Sequence, residues 1–228
     1  MACGGDGDTH SAQEALAKLF QTYWYPLYAY VRRRGYGEQD AEDLVQAFCV
    51  HLQEKQALAK ADRQRGKFRT FLLSSLQNFL ANENARAHAQ KRGGGHEIVF
   101  LDAETAHERY RLEPAHSLTP ERIFETRWAH ALLEQTLAVF RADCVARGKQ
   151  RLFDGLSSFL SLGQETNSYQ EAADRLGLPL SAIKTTVHRF RQDYREKLRE
   201  EISRTVSGPD EIDEELRYLR TMLASPES

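Results

Sequence analysis

The sequence predicts an all-α protein with two small helical domains, a linker between them and a C-terminal helical extension. Three observations support this fold class. Apolar residues recur every three or four positions through most of the 228 residues, which is the period of an amphipathic helix. Several of these segments begin or end with residues that typically cap helices. Strand-like sequence is confined to HEIVFL at residues 96–101, directly after three glycines.

Changes in the character of the sequence give the predicted boundaries. The chain is long enough for one large domain or two small ones. The first domain is predicted at residues 11–95 and ends at the glycine triplet, which interrupts a helical segment. Residues 96–125 form the predicted linker, residues 126–204 the second domain and residues 205–228 the extension.

Three helices are predicted in the first domain. Ser11 is expected to cap the first helix, which ends before Gly35. The second helix starts near Asp40, where a negative charge suits the positive end of the helix dipole. Its buried residues should be Leu44, Phe48 and Leu52. The third starts after Gly66, and its apolar face stops at Leu80 although helix-forming residues continue, so its end should project into solvent or onto a ligand.

A helix that Thr119 caps and Pro120 starts is expected to begin near the end of the linker and to continue into the second domain. The inward-facing residues of this helix should be Trp128, Leu132, Leu133, Leu137 and Phe140. Further along, Ser168 and Glu171 fit the capping-box pattern S-x-x-E and should start a short helix that ends at Gly177.

A longer helix is predicted after the Gly177 turn, with Ser181 as its cap. Its apolar residues should form one buried stripe of Ile183, Val187, Phe190, Tyr194 and Leu198. A short helix, a glycine turn and a longer helix with basic and hydroxyl side chains on its open faces are typical of a helix-turn-helix, whose second helix fits the DNA major groove. The alternative is an ordinary helical hairpin with a solvated charged face.

Charge is distributed unevenly, although the formal net charge is only −2. Residues 60–92 have eight Lys and Arg against two Asp and Glu, and residues 175–204 have eight against four. Residues 96–130 have four against seven, and residues 205–228 have two against six. Two basic segments separated by an acidic connector predict two contacts with a polyanion. The alternative is that both segments are solvated helix faces.

Other features of the sequence argue against several classes of protein. No apolar run approaches the roughly 20 residues needed to span a bilayer, and the N-terminus lacks the features of a secretory signal, so a cytoplasmic protein without a membrane contact is predicted. Cys3, Cys49 and Cys144 lie far apart without CxxC or histidine partners, so we predict no disulfide and no metal site, with Cys49 and Cys144 buried. We find no phosphate-binding glycine loop and no nucleophile–base pair, so neither a cofactor nor an enzymatic activity is predicted.

Residues in both predicted domains follow the pattern of one protein family. In the helix-turn-helix segment they are Ala173, Leu176, Gly177, Ile183, Lys184, Thr185, Val187 and Arg189. In the first domain they are the stretch DAEDLVQ and the segment GKFRTFLLSSLQNFLANENARAHAQKR. In this order, they resemble the two domains of the extracytoplasmic-function type of bacterial RNA polymerase sigma factor. The resemblance covers about Leu16 to Ile202.

The resemblance implies three groups of site residues. The helix with DAEDLVQ would dock on the largest subunit of core RNA polymerase through Asp40, Asp43, Leu44, Gln46 and Phe48. The third helix would bind and melt the minus-ten promoter element through Lys67, Arg69, Asn78, Asn82, Arg86, His88, Lys91 and Arg92. The recognition helix would bind the minus-thirty-five element through Ser181, Lys184, Thr185, His188, Arg189 and Arg191.

Some positions depart from the family pattern. Phe71 stands where the family commonly has tryptophan, and ANENARAHAQKR replaces an arginine-rich run, so the minus-ten preference does not follow from the resemblance. The linker and the segment ARGKQRLFDGLSSFLSL are longer than in the simplest members. The implied partners are core RNA polymerase and promoter DNA, with an anti-sigma factor or other regulatory partner as a further candidate.

The sequence therefore predicts a sigma factor that directs core RNA polymerase to a subset of promoters. One alternative is a stand-alone helix-turn-helix regulator whose first domain senses a ligand or dimerises, and another is a helical adaptor without a DNA role. In the extension, Asp210 should start an amphipathic helix with Ile212, Leu216, Leu219 and Leu223 on one side. Two hypotheses fit this acidic helix: it packs against the basic helix-turn-helix domain and tunes DNA access, or it completes the core of that domain.

Overall fold

The computed structural model describes residues 6–54, 67–89, 103–113, 118–160 and 169–224. Over these residues the helices are α1 (Asp6–Arg33), α2 (Glu38–Glu54), α3 (Phe68–Ala89), α4 (Ala103–Arg111), α5 (Pro120–Ala146), α6 (Gln150–Leu156), α7 (Tyr169–Leu176), α8 (Leu180–Ser203) and α9 (Asp210–Ala224). A short 3₁₀ helix, Ser157–Leu160, follows α6. The described residues contain no strand, so the predicted all-α class is confirmed. The strand-like stretch at residues 96–101 lies outside them.

The chain forms two compact units, and the second is inserted into the sequence of the first. Unit 1 consists of Met1–Ala131 and Thr205–Ser228, and unit 2 of Leu132–Arg204. Helix α5 contributes residues to both units, because the boundary falls within it. The sequence-based boundaries differ from this division, since the predicted linker at 96–125 and the predicted extension at 205–228 both group with unit 1.

The core of unit 1 surrounds α1. Every residue from Tyr23 to Val31 is buried, as expected of a helix enclosed by its neighbours. The Tyr23 ring stacks on Trp128 of α5, with a centroid distance of 3.6 Å and an angle of 7° between the planes. The largest fully buried side chains of this core are Trp128, Tyr30, Phe20, Phe48, Phe124, Leu27, Leu72, Leu76 and Ile123.

Part of the predicted linker is helical and packs on α1. Ala106 of α4 is buried in the core of unit 1. The Tyr28 hydroxyl and His107 Nδ1 form a hydrogen bond of 3.1 Å, and the Tyr25 hydroxyl donates to Glu113 Oε1. The polar composition of this segment suggested a connector. Helix α4 nevertheless packs on α1 with few apolar side chains, because it buries only the small residue Ala106 and forms a hydrogen bond with a tyrosine through His107.

The predicted helix ends are largely confirmed. Thr119 caps α5, with its Oγ1 accepting a hydrogen bond from the Arg122 backbone N–H at 3.2 Å. Gly35 and Gly177 have φ angles of +95° and +69°, the left-handed conformation that glycine adopts without steric cost. After Gly177, the Leu178 N–H donates to the Ala173 carbonyl at 3.0 Å and closes the end of α7.

Two predicted N-caps are wrong. Ser11 lies inside α1, which already begins at Asp6. Pro179 is the N-cap residue of α8, with φ −64° and ψ 147°, so Ser181 is the second residue of that helix. Proline fixes its own φ in the range a helix entry needs, and α8 therefore starts one residue after it. The other predicted cap, Ser168, lies outside the described residues.

Unit 2 is built on an aromatic cluster beneath α8. The Phe140 ring lies 5.0 Å from Phe190 and 6.0 Å from Phe153, centroid to centroid. Ile183, Val187 and Phe190 of the predicted stripe are buried, and Tyr194 and Leu198 are partly buried. The prediction that Leu137 faces inward is wrong, because its side chain lies on the exposed side of α5. Cys49 and Cys144 are buried free cysteines, as predicted.

Candidate nucleic-acid and polymerase interfaces

The first half of α8 presents the predicted recognition residues to solvent. Five of the six are exposed: Ser181, Lys184, Thr185, His188 and Arg189. They are exposed because the stripe through Ile183, Val187 and Phe190 takes the opposite face of the helix into the core of unit 2. The arrangement leaves two cations, two hydroxyls and an imidazole on the open side of the helix. Such groups can bind phosphate oxygens and base edges.

Arg191 differs from the other residues predicted on this helix. Its side chain is half-buried, and its Nε donates a hydrogen bond of 2.9 Å to the Phe159 carbonyl in the 3₁₀ helix. The interaction fixes the 3₁₀ helix against α8. The predicted DNA contact of Arg191 therefore competes with a structural role.

The exposed face of α3 carries a row of polar residues. Asn78, Asn82 and Arg86 are all exposed and are spaced by four residues, so they follow one side of the helix. Arg86 also forms an exposed ion pair of 2.8 Å with Glu83. An exposed pair of this kind contributes little to stability and is easily exchanged for another anion. The His88 side chain, Lys91 and Arg92 lie outside the described part of the chain.

The cations at the start of α3 are paired with helix α9. Arg69 Nε donates to Glu215 Oε1 at 2.8 Å and Nη2 to Oε2 at 3.5 Å. Its Nη1 also donates to Glu125 Oε1 at 3.4 Å, and its guanidinium carbon lies 3.7 Å from the centre of the Tyr218 ring. Lys67 Nζ lies 3.1 Å from Glu215 and 3.2 Å from Glu214.

The predicted contact of Arg69 with DNA stays a prediction, and it would require the side chain to leave its partner on α9. Only 9% of Arg69 and 2% of Glu215 are exposed, so this is a buried, bidentate ion pair. Arg69 lies on the buried side of α3 because it precedes Leu72 and Leu76 by three and seven residues, in register with the apolar face. Its role in this structure is to join α3 to α9 within unit 1.

The acidic helix α9 packs on unit 1, which contradicts the hypothesis that it packs against the helix-turn-helix domain. Leu219 and Met222 are buried, and Glu215 sits on the same side of the helix. We had not predicted the role of Glu215 and Tyr218. The signal was a carboxylate three residues after Ile212 and four before Leu219, within an apolar stripe, since a charge in such a place requires a buried partner.

The predicted polymerase-binding residues of α2 fall into two environments. Asp40 and Asp43 are exposed, while Leu44 and Gln46 are half-buried. Phe48 is fully buried and its ring lies 5.6 Å from that of Phe79, so its predicted contact with polymerase, which stays a prediction, would require the side chain to leave the core. The resemblance placed Phe48 among the docking residues, whereas its position in the apolar pattern of α2 takes it into the core.

The described residues offer no other chemistry that would compete with these surfaces. Among them, no cluster of His, Cys, Asp and Glu could hold a metal ion. Burial raises the pKa of the Cys49 thiol, which keeps the sulfur protonated and unreactive. Nor does any described helix have the length and apolar character to cross a membrane.

Residues 12–88 match the family model of sigma-70 region 2. Neither a curated protein nor a solved structure matches the chain. The matched residues include α2 and all but the last residue of α3, and therefore the exposed acidic residues of α2 and the polar row of α3. The match over these residues supports a sigma-70 family factor, with this part of the chain as its region 2.

Proposed function

We propose that this chain is a sigma factor of the extracytoplasmic-function type, which binds core RNA polymerase through α2 and recognises promoters through α3 and α8. The region 2 match supports a role in promoter-directed transcription initiation. The observation that carries the finer proposal is the exposure of a basic recognition face on α8, in a unit separate from the one that carries region 2. Such a factor would act in the cytoplasm with polymerase and need no cofactor.

In this proposal, the first turns of α2 form the docking surface for polymerase. Asp40 and Asp43 are free to meet a basic partner surface, and the half-buried Leu44 adds apolar area beside them. Charged groups at the edge of an interface mainly steer association and give specificity, whereas the apolar centre provides most of the affinity. Phe48 supports this surface from inside the core, which its side chain would have to leave to reach the partner.

The polar row of α3 is proposed to hold the melted minus-ten element. Melting unstacks bases, and the amides of Asn78 and Asn82 can hydrogen bond to the base edges that become available. Arg86 would contact the backbone phosphates at the far end of the row. His88, Lys91 and Arg92 would extend the same surface, and they remain predictions.

The exposed face of α8 is proposed to read the minus-thirty-five element in the major groove. Lys184 and Arg189 are the principal candidates for phosphate and base contacts, with Ser181, Thr185 and His188 beside them. A bidentate contact of Arg with guanine contributes about 1–3 kcal/mol of discrimination against other bases. Arg191 would have to break its hydrogen bond with Phe159 to take part.

Reconstituted transcription tests the proposal. Purified chain is added to core RNA polymerase freed of other sigma factors, and the 5′ ends of transcripts from genomic DNA are mapped. We expect start sites that are absent with core enzyme alone and that share two upstream elements. Reversing the charges with Asp40→Lys and Asp43→Lys should remove these starts and weaken binding to core enzyme. The matched control is Glu108→Lys, an exposed acidic residue of α4.

A stand-alone regulator gives a different result in the same experiment. It would bind duplex DNA tightly without polymerase, would create no new start sites with core enzyme, and would be insensitive to charge reversal on α2. An adaptor without a DNA role would show no salt-sensitive DNA binding. Either result overturns the proposal.

A further inference from the structure

Helix α3 begins without the residues that usually stabilise the start of a helix. Lys67 precedes the helix, in a place where Ser, Thr, Asp and Asn are preferred. Residues 68–71 read FRTF, so the first turn contains a cation and no acidic residue. Positive charge at this end opposes the helix dipole. The first turn of α3 therefore needs stabilising groups from another part of unit 1.

The C-terminal segment that contains α9 supplies these groups. The Phe68 backbone N–H, which cannot bond within its own helix, donates to the Thr205 carbonyl at 2.9 Å. The Glu215 carboxylate lies 3.1 Å from Lys67 Nζ and 2.8 Å from Arg69 Nε. It therefore brings negative charge to the positive end of α3 and pairs with both cations there.

Tyr218 of α9 completes the contact. The centre of its ring lies 3.7 Å from the Arg69 guanidinium carbon, and Arg69 is almost fully buried. A cation–π contact is strongest where water is excluded. We call these interactions the α3–α9 clasp, and its members are Lys67, Phe68, Arg69, Thr205, Glu215 and Tyr218. All of them belong to unit 1.

The clasp connects region 2 to a helix outside the family match. Residues 12–88 match the region 2 model, whereas α9 lies far beyond them in sequence. Further along α3, the Phe79 ring lies 5.6 Å from Phe48 of α2. Gln77 Nε2 donates to the Tyr30 hydroxyl of α1 at 3.2 Å. The later turns of α3 are thus held by matched residues, and the first turns are the part that α9 holds.

These first turns carry the N-terminal end of the proposed minus-ten surface. Phe71 precedes Asn78 by seven residues, so both lie on the same side of α3. The Phe71 side chain is half-buried, which leaves part of its ring open to solvent in line with the polar row. Unstacked bases can stack on aromatic rings of this kind. The minus-ten surface therefore begins on turns that the clasp holds.

We propose that Glu215 is a positioning residue for minus-ten binding, which keeps the first two turns of α3 helical through the α3–α9 clasp. The inference rests on the proposed function, since it concerns the minus-ten surface. Helix ends open readily when their backbone groups and charges lack partners. If DNA binds only the ordered form, its apparent affinity is reduced by the fraction of chains in that form. Helix α9 would then act in promoter opening without touching DNA.

A pair of neighbouring substitutions tests this role. Glu215→Gln removes the carboxylate that Arg69 and Lys67 share. Arg69 keeps its ion pair with Glu125, and Lys67 keeps its ion pair with Glu214, so neither cation is left without a partner. The matched control is Glu214→Gln, because the Glu214 side chain is 62% exposed. Helical content and thermal unfolding are measured for both chains, and both are assembled with core polymerase.

Two DNA probes separate positioning from a general loss of structure. The first is a promoter fragment, taken from a mapped start site, with unpaired strands over the minus-ten element. The second is a duplex that contains the minus-thirty-five element and ends upstream of the minus-ten element. Glu215→Gln should weaken binding of the first probe by about tenfold, if about one chain in ten keeps the turns ordered. It should leave the second probe unaffected, and Glu214→Gln should match the wild-type complex on both.

Two results overturn the inference. One is unchanged binding of the unpaired probe by a folded Glu215→Gln chain. The other is an equal loss on both probes, because α9 would then support the fold alone. If the wild-type complex starts no transcription at all, the proposed function fails, whereas normal start sites with unaltered binding by Glu215→Gln reject only this inference.

A cleavable chain decides if Glu215→Gln does not fold. A protease site is placed between Gly208 and Pro209, and the chain is cleaved after assembly with core polymerase, so that α9 is washed from the immobilised complex. Binding of the unpaired probe should fall by about tenfold, and a synthetic peptide of residues 209–224 should restore it. Undiminished binding after α9 has been removed overturns the inference.

Discussion

The start of α3 and the first half of α8 carry the same types of cation in opposite environments. Arg69 is buried between Glu215, Glu125 and the Tyr218 ring. Lys184 and Arg189 are exposed, and the structure pairs neither with a carboxylate among the described residues. Both regions belong to segments with a surplus of positive charge, so the surplus alone does not identify the cations that can bind DNA.

The difference arises from the position of each cation relative to the apolar stripe of its helix. Arg69 is in register with Leu72 and Leu76 and so enters the core, where it must find a carboxylate. Arg189 lies between the stripe residues Val187 and Phe190 in sequence but on another face of the helix. A long cationic side chain within a stripe therefore indicates an ion pair, and one outside it indicates a surface available to a ligand.

Replacing Arg69 by alanine should give the largest effect on stability. Glu215 would lose its bidentate partner and keep only Lys67, and breaking a buried pair costs about 3–5 kcal/mol, which is the upper limit expected here. The free energy of unfolding is measured by denaturant titration. The control is Arg86→Ala on the same helix, whose exposed ion pair should contribute no more than about 1 kcal/mol. Equal effects of the two substitutions would remove the contrast between buried and exposed cations.

Replacing Lys184 or Arg189 by alanine should weaken promoter binding and leave stability unchanged. Each lost contact should cost about 1–3 kcal/mol if it reaches a base edge, which is roughly tenfold to a hundredfold in affinity. Affinity is measured for the complex with core polymerase, and unfolding is measured in parallel. Arg191→Ala provides the comparison, because losing its hydrogen bond with Phe159 should reduce stability by about 1 kcal/mol. Loss of stability in the Lys184 variant would contradict its assignment to an open surface.

Replacing Tyr218 by leucine should have a smaller effect. The ring lies 3.7 Å from the Arg69 guanidinium carbon, and a cation–π contact that is shielded from water contributes up to about 2 kcal/mol. The free energy of unfolding should fall by about that amount. Tyr218→Phe retains the ring and is the control, so it should lie closer to the wild-type chain. If the phenylalanine variant loses as much stability as leucine, the ring does not account for the contact.

Much of the fold followed from local rules, and the failures have physical causes. The cap at Thr119, the left-handed Gly177 and the stripe on α8 depend on neighbouring residues, and the structure has them as expected. The packing of α9 depends on residues more than 140 positions away in sequence, such as Lys67 and Arg69. No local pattern identifies which basic segment an acidic helix will meet.

The candidate site was predicted more completely for α8 than for α2 and α3. On α8 the apolar stripe separates buried from exposed positions clearly, so the remaining faces could be assigned. On α2 the resemblance pointed to Phe48, whereas periodicity placed it among buried residues, and the structure agrees with periodicity. A family pattern identifies a helix that binds a partner, but burial decides which of its side chains can touch it.

The smallest expected effect is a change in the salt dependence of promoter binding. It distinguishes the exposed cations of α8 from the paired cations at the start of α3. The logarithm of the binding constant falls with the logarithm of salt concentration by about 0.9 for each phosphate contact. Replacing both Lys184 and Arg189 by alanine should therefore reduce the slope by about 1.8 if each contacts a phosphate. Lys67→Ala should leave the slope unchanged, because Lys67 is paired with Glu214 and Glu215. An equal reduction of the slope in the Lys67 variant would mean that this lysine leaves α9 to bind DNA, and the two regions would then behave alike.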